Sequence, residues 1–176
     1  MKLNIRTLIT KEEIDKRVKE LGKQITEDYK DKDILTVAVL KGALPFLCDL
    51  VHQIDNEDLT MDFMSVSSYG SETKSSGVVR ILKDLDESIE GKNVLIVEDI
   101  IDSGRTISKL VELLSTRSPK SIKICSLLDK PSRREVEVKA DYVGFTIEDR
   151  FVLGYGLDYD QKYRQLTFIG EVVSDK

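Results

Sequence analysis

No apolar run in the 176 residues approaches the roughly 20 that a membrane-crossing helix needs. The opening MKLNIRTLITKEE turns charged after Ile9, too early for the apolar stretch of a signal peptide. Cysteine is scarce. Cys48 and Cys125 are the only two, each inside an apolar segment, so two buried, reduced thiols are expected rather than a disulfide, as in a cytoplasmic protein. With 3 prolines, 10 glycines and 40% hydrophobic residues, the collagen-like, low-complexity and disordered classes drop out. A large excess of either charge is missing too. The 27 Lys and Arg against 32 Asp and Glu leave a net charge of -5, which argues against a protein built to grip nucleic-acid backbones. There is no GxxxxGKS or GxxxxGKT, no HExxH and no CxxC. Gly154-Tyr155-Gly156 is the sole G-x-G and lacks the rest of a dinucleotide fingerprint. His52, the only histidine, reads as a surface or packing residue rather than a ligand or base. With no repeat and no linker, residues 1–176 are read as one domain, long enough to bury about 70% of its unfolded surface.

What is present reads as alternating strands and helices. Thr10 followed by Glu13 is a capping box, and Ile14, Val18, Leu21, Ile25 and Tyr29 then recur at helical spacing, predicting a helix over 11–29. Residues 34–40 (ILTVAVL) and 93–97 (NVLIV) are short, β-rich and nearly all apolar, as strands buried on both faces are. Pro45 opens a helix carrying Leu47, Leu50, Val51 and Ile54. Further strands are expected over 60–66, 78–82, 122–128, 142–147 and 152–155. Residues 67–77 lack apolar periodicity and read as a mobile loop or open hairpin end. Residues 99–105 are expected to form a turn, and Ile107, Leu110, Val111 and Leu114 a helical face. The pattern predicts an α/β fold, a mostly parallel twisted sheet flanked by helices on both faces.

The densest chemistry lies in 94–106, VLIVEDIIDSGRT. A buried strand ends in acids, then a turn leads into a helix whose first residues are read as Ser103, Gly104, Arg105 and Thr106. A helix start offers unpaired N–H groups and the positive end of the dipole, which suits phosphate. Gly104 allows close backbone approach, Ser103 and Thr106 add hydroxyls, and Arg105 adds charge. Glu98 and Asp99 beside such a site would repel the ligand unless they bind sugar hydroxyls or a cation such as Mg²⁺.

This segment resembles the phosphoribosyl diphosphate (PRPP) motif of type I phosphoribosyltransferases, in the form of their hypoxanthine-guanine branch. The resemblance extends over nearly the whole chain, with Arg105 where many relatives carry lysine. It implies a core over about 34–147 and a small hood from about 1–10 and 148–176. It implies transfer of the 5-phosphoribosyl group from PRPP to N9 of a 6-oxopurine, with Mg²⁺ as cofactor. PRPP would be held by Glu98, Asp99, Asp102, Ser103, Gly104, Arg105 and Thr106. Its diphosphate would lie against Leu40, Lys41 and Gly42, where relatives often have a cis peptide, and against Arg164. Asp102 would be the general acid/base at purine N7, a carboxylate able to accept a proton. The purine would meet Ile100, Lys130, Phe151, Val152 and Asp158, with Lys130 donating to the 6-oxo group and Phe151 stacking. Glu98, Asp99 and Asp158 would serve the metal. Ser68, Tyr69 and Gly70 resemble the family's flexible loop, which closes over the substrates. A homodimer or homotetramer is implied, with no nucleic acid and no membrane as partner. Two alternatives remain: a xanthine-preferring transferase, and a non-catalytic nucleotide-sensing regulator on the same fold.

Overall fold

The computed structural model describes residues 3–68 and 79–173. The chain runs β1 (Ile5–Ile9), α1 (Lys11–Asp28), β2 (Ile34–Leu40), α2 (Leu44–Val51), β3 (Leu59–Ser68), β4 (Val79–Lys83), β5 (Asn93–Ile101) and α3 (Arg105–Ser115). It continues through β6 (Ser121–Asp129), a 3-10 turn (Pro131–Arg133), β7 (Tyr142–Thr146), β8 (Val152–Leu153) and β9 (Ile169–Val172). Six strands form one sheet in the order β4-β3-β2-β5-β6-β7, with every pairing parallel except β3 with β4. A second sheet, β1-β9-β8, is antiparallel and joins the two ends of the chain into a hood.

The apolar runs of β2 and β5 divide by pleat. Ile34 and Ala38 of β2, with Leu95 and Val97 of β5, turn toward α1 and α2, where Ile14, Leu21, Ile25, Phe46 and Leu50 are fully buried. Val37, Val39, Val94 and Ile96 turn the other way, toward Ile107, Leu110 and Leu114 of α3. Both faces of the sheet are therefore covered, as a parallel sheet requires. At Thr10 the capping box forms in full: its hydroxyl takes the Glu13 N–H at 3.2 Å, and the Glu13 carboxylate takes the Thr10 N–H at 2.8 Å. Among the described residues no helix is long and apolar enough to cross a membrane.

Several expectations change: α2 ends at Val51, leaving Ile54 beyond it, and β8 stops at Leu153, short of 155. The strand expected over 93–97 runs on to Ile101, because its ladder with β6 continues to the Ile101–Asp129 pair. Two acids at a strand end read as a turn, yet here they are folded inward. Accordingly α3 begins at Arg105, and Ser103 and Gly104 precede it. Strands β1 and β9 have no counterpart in the sequence reading; both are short and pair across nearly the whole chain. Finally, Cys48 is exposed, since α2 buries Phe46, Leu47 and Leu50 and turns Cys48 outward. Cys125 is buried in β6 as expected, and its desolvation pushes the thiol pKa up.

Candidate active site

Strand order reverses between β2 and β5, because the chain leaves β2 for β3 on one side and returns to β5 on the other. In an open α/β sheet, ligands bind at the carboxyl ends of strands that flank such a reversal. At the end of β2 the Leu40–Lys41 peptide is cis. Gly42 follows, pressed against the end of β5: a β-carbon there would stand 1.7 Å from Asp99 Oδ2. The hood closes on the same loop, since a β-carbon at Gly156 would stand 2.0 Å from the Gly42 carbonyl oxygen. Sequence positions 42, 99 and 156 thus meet at one point. Any side chain at 42 would force the loop off the carboxylate.

Around that point the charged groups are already engaged. The Lys41 ammonium donates to Gln161 Oε1 at 3.4 Å. Arg164 donates to the Gly156 carbonyl at 2.7 Å and to Gln161 Oε1 at 3.1 Å, and pairs with Asp158 at 3.0 Å. Its Nε is buried with no partner among the described residues. Asp158 also accepts the Gln161 N–H at 2.9 Å.

Glu98 is only 8% exposed, and its Oε1 accepts the Asp99 N–H at 3.1 Å. Burial first, and the Asp99 charge second, push the Glu98 pKa well above the usual carboxylate range. Asp99 is also raised, by burial, although its bonds to Glu98 and to the Ile100 N–H, and the positive charge of Arg164, pull the other way. Adjacent carboxylates, one buried and one half-buried, that resist ionisation fit a hard divalent cation, which supplies the missing positive charge to oxygen ligands. Among the described residues no three His, Cys, Asp or Glu side chains converge on one metal position. A cation held by Glu98 and Asp99 would draw further ligands from substrate or water; Asp158 is paired with Arg164, whose charge also acts on Asp99.

Beyond Ile101 the turn forms a cavity of about 90 Å³ lined by Glu98, Ile100, Asp102, Ser103, Gly104 and Thr106, among others. Gly104 caps α3 with φ +83°, a conformation that other residues adopt only with strain. The Ser103 hydroxyl accepts the Arg105 N–H at 3.3 Å. The Arg105 guanidinium is paired with Glu135.

Residues 130–136, which the sequence shows only as a basic stretch after β6, wrap this turn. The Lys130 N–H donates to the Ile101 carbonyl at 3.0 Å, and the Glu135 and Val136 N–H groups to the Ser103 carbonyl at 2.9 and 3.2 Å. Arg134 donates to the Asp102 carbonyl at 2.9 Å and pairs with Asp129. Arg133 reaches Asp102 Oδ1 at 3.3 Å and Asp149 at 3.5 Å. A run of two arginines is the only sequence signal for this brace. Its main grip on the turn is on the backbone carbonyls of Ile101, Asp102 and Ser103, which no side-chain pattern reveals.

Lys130 is 7% exposed, and its ammonium donates to the Arg150 carbonyl of the hood. Arg150 pairs with Glu171 of β9, which also takes Arg6 of β1. Beside Lys130, Phe151 is 54% exposed, with its ring edge-on to Tyr159 at 5.5 Å between centroids. Val152 is buried in β8 opposite Glu171. An uncovered aromatic face next to a buried ammonium is a place for a flat, polar-edged ligand. Ser68 ends β3, whereas Tyr69 and Gly70 lie outside the described residues.

The family profile of the phosphoribosyl transferase domain matches residues 7–160. The hypoxanthine-guanine phosphoribosyltransferase of Bacillus subtilis is 59% identical over 165 residues, 94% of this chain and 91% of the relative. The hypoxanthine phosphoribosyltransferase of Escherichia coli K12 is 54% identical over 175 residues, 98% of each chain. A crystal structure of a Staphylococcus aureus hypoxanthine phosphoribosyltransferase superposes with a TM-score of 0.93 at 48% identity, covering 97% of this chain and 92% of its own. Profile, relatives and superposition agree with the crevice at the strand reversal, and the chain belongs to the phosphoribosyltransferase family.

Proposed function

We propose that the protein is a purine salvage enzyme that transfers the 5-phosphoribosyl group from PRPP to N9 of hypoxanthine or guanine, giving IMP or GMP and diphosphate. The observation that carries this reading is the meeting of three segments at one crevice: the Leu40-Lys41-Gly42 loop, the 98–106 turn, and the hood segment with Gly156 and Arg164. The 5′-phosphate belongs in the turn cavity, against the Ser103 and Thr106 hydroxyls and the N–H groups that open α3. Glu98 and Asp99 hold the ribose hydroxyls or the cation, and Lys41, Gly42 and Arg164 receive the diphosphate.

In the reaction the C1–oxygen bond to diphosphate breaks and the purine N9–C1 bond forms. The proton released by the purine passes to Asp102. Mg²⁺, when bound, supplies positive charge to the departing diphosphate. The Arg164 guanidinium serves the same end from the protein side, and its unpartnered Nε gives it a donor to spare. On the purine, Lys130 donates to the 6-oxo group while Phe151 covers the ring; Ile100 and Val152 border the base, and Asp158 stays with Arg164 at its far side. A homodimer or homotetramer goes with this reading, and sedimentation of the purified chain measures it.

Purified protein with PRPP, Mg²⁺ and one purine at a time tests the proposal. Diphosphate release is expected with hypoxanthine and guanine and near background with adenine. Release with none of the purines would leave a nucleotide-binding protein without this activity.

A further inference from the structure

Three consecutive backbone carbonyls of the turn, those of Ile101, Asp102 and Ser103, all accept from residues 130–136. Two of the three take main-chain N–H donors. Only the middle one, on Asp102, is held by a side chain, that of Arg134. The same guanidinium pairs through its other arm with Asp129, the last residue of β6, which lies opposite Ile101 in the β5–β6 ladder. The Arg134 and Asp129 side chains are 18% and 17% exposed, so water screens the bridge little. The Arg134 Cδ also lies 3.1 Å from where a β-carbon on Gly104 would be, packed beneath the turn.

We propose that Arg134 is a positioning residue that fixes the main chain of Asp102 to the end of β6, and so sets where the Asp102 carboxylate stands relative to Lys130. The inference rests on Asp102 and Lys130 having the roles given above. A planar fork with two separate donor arms is needed to reach a carbonyl and a carboxylate at once. Lysine keeps the charge but has a single nitrogen and holds only one of them well. With the Asp102 carbonyl released, the turn keeps its two main-chain anchors, and its middle residue gains freedom. A displacement of about 1 Å at a catalytic group costs up to roughly 100-fold in rate. The neighbouring Arg133 does not replace the brace, because it touches the Asp102 carboxylate from an exposed position rather than its backbone.

The test is a set of four proteins: wild type, Arg134→Lys, Asp102→Asn and the double variant, with kcat for hypoxanthine and PRPP affinity measured by calorimetry. Arg134→Lys is expected to lower kcat roughly 10- to 100-fold with PRPP affinity changed less than about threefold. In the Asp102→Asn background the same change should add almost nothing, since the group it positions is gone. Asp129→Ala, which removes the acceptor of the other arm, should reproduce the pattern and serves if Arg134→Lys folds poorly. An equal fold-loss from Arg134→Lys in both backgrounds would show a merely structural arginine and overturn the proposal. Unaltered kcat in Asp102→Asn alone would sink the assignment of Asp102 itself, and the positioning role with it.

Discussion

Two carboxylates pressed together in a dry place wait for a positive charge. Glu98 and Asp99 are in that position: burial raises the pKa of both, and the Asp99 charge adds to the rise at Glu98. A carboxyl raised by folding contributes stability that is complete below its unfolded pKa, near 4.3 for Glu, and is lost as pH climbs through the raised value. Metal-free Glu98→Gln is therefore expected to melt higher than wild type at pH 8, the difference shrinking toward pH 4. Mg²⁺ has to displace those protons, so its stabilising effect on wild type should be larger at pH 8 than at pH 5 and small in Glu98→Gln. Scanning calorimetry at both pH values, with and without the ion, measures both effects. A melting temperature indifferent to Mg²⁺ at pH 8 would leave the pair to sugar hydroxyls alone.

Lys130 gives the matching prediction for the base. Its ammonium is anchored on one side by the Arg150 carbonyl, which leaves donors for a 6-oxo group, whereas adenine presents an amino group, donor facing donor. Lys130→Gln keeps a donor for the Arg150 carbonyl and offers an acceptor. It should raise KM for hypoxanthine by roughly tenfold, the scale of one charged hydrogen bond, and narrow the gap to adenine with PRPP affinity little altered. Efficiency ratios for both bases check it; an unchanged ratio places base selection elsewhere. At this scale the sequence was informative where chemistry is local, as in the acids, glycine and hydroxyls of VEDIIDSGRT. It was silent on Arg134, which bridges Asp129 to a carbonyl 32 positions away.

Among the elements, the start of α3 is the one on whose local geometry the proposed phosphate site rests most directly. Gly104 holds φ +83°, and a β-carbon there would come within 2.7 Å of Val138 Cγ1 and 2.9 Å of the Val136 carbonyl oxygen. Gly104→Ala combines left-handed strain of about 1–2 kcal/mol with a push against the segment that braces the turn. The expected result is a PRPP KM raised roughly tenfold, as 1.4 kcal/mol implies, with a smaller effect on purine KM. Comparable increases for both substrates would indicate a general loosening of the fold. Element boundaries were the weak part of the sequence reading for a related reason. The ladder that carries β5 past Glu98 and Asp99 is a property of β6, and strand propensity within 98–101 says little about it.

At the scale of the whole molecule, the six-stranded sheet and both its helix layers were legible, because runs such as ILTVAVL and NVLIV alternate with amphipathic helices. Two strands of the hood were not legible from the residues: β1 and β9 are five and four residues long, and their paired residues lie 160 to 167 positions apart. Glu171 holds the hood together by pairing with Arg6 and Arg150, and these two guanidinium groups keep its pKa below the usual range. A depressed carboxyl contributes stability that is present above its unfolded pKa and lost as pH falls through the folded one. Glu171→Gln should therefore lower the melting temperature at pH 7, with the difference fading below about pH 4. Because Arg150 carries the carbonyl that anchors Lys130, KM for hypoxanthine should rise as well, measurable by initial rates. A fall in stability with purine KM unmoved would confine Glu171 to holding strands together.

The strand order of the hood also bears on synthesis at the ribosome. In β1-β9-β8 the middle strand is the one translated after all the others described, so β1, made first, has no partner until β9 emerges. The 98–106 turn and its brace end by residue 136 and can assemble while the growing chain is still tethered. The base pocket cannot. A nascent chain is thus expected to pass through an interval in which it holds sugar phosphate without recognising a purine, its first strand an open edge for chaperones or for a neighbouring copy.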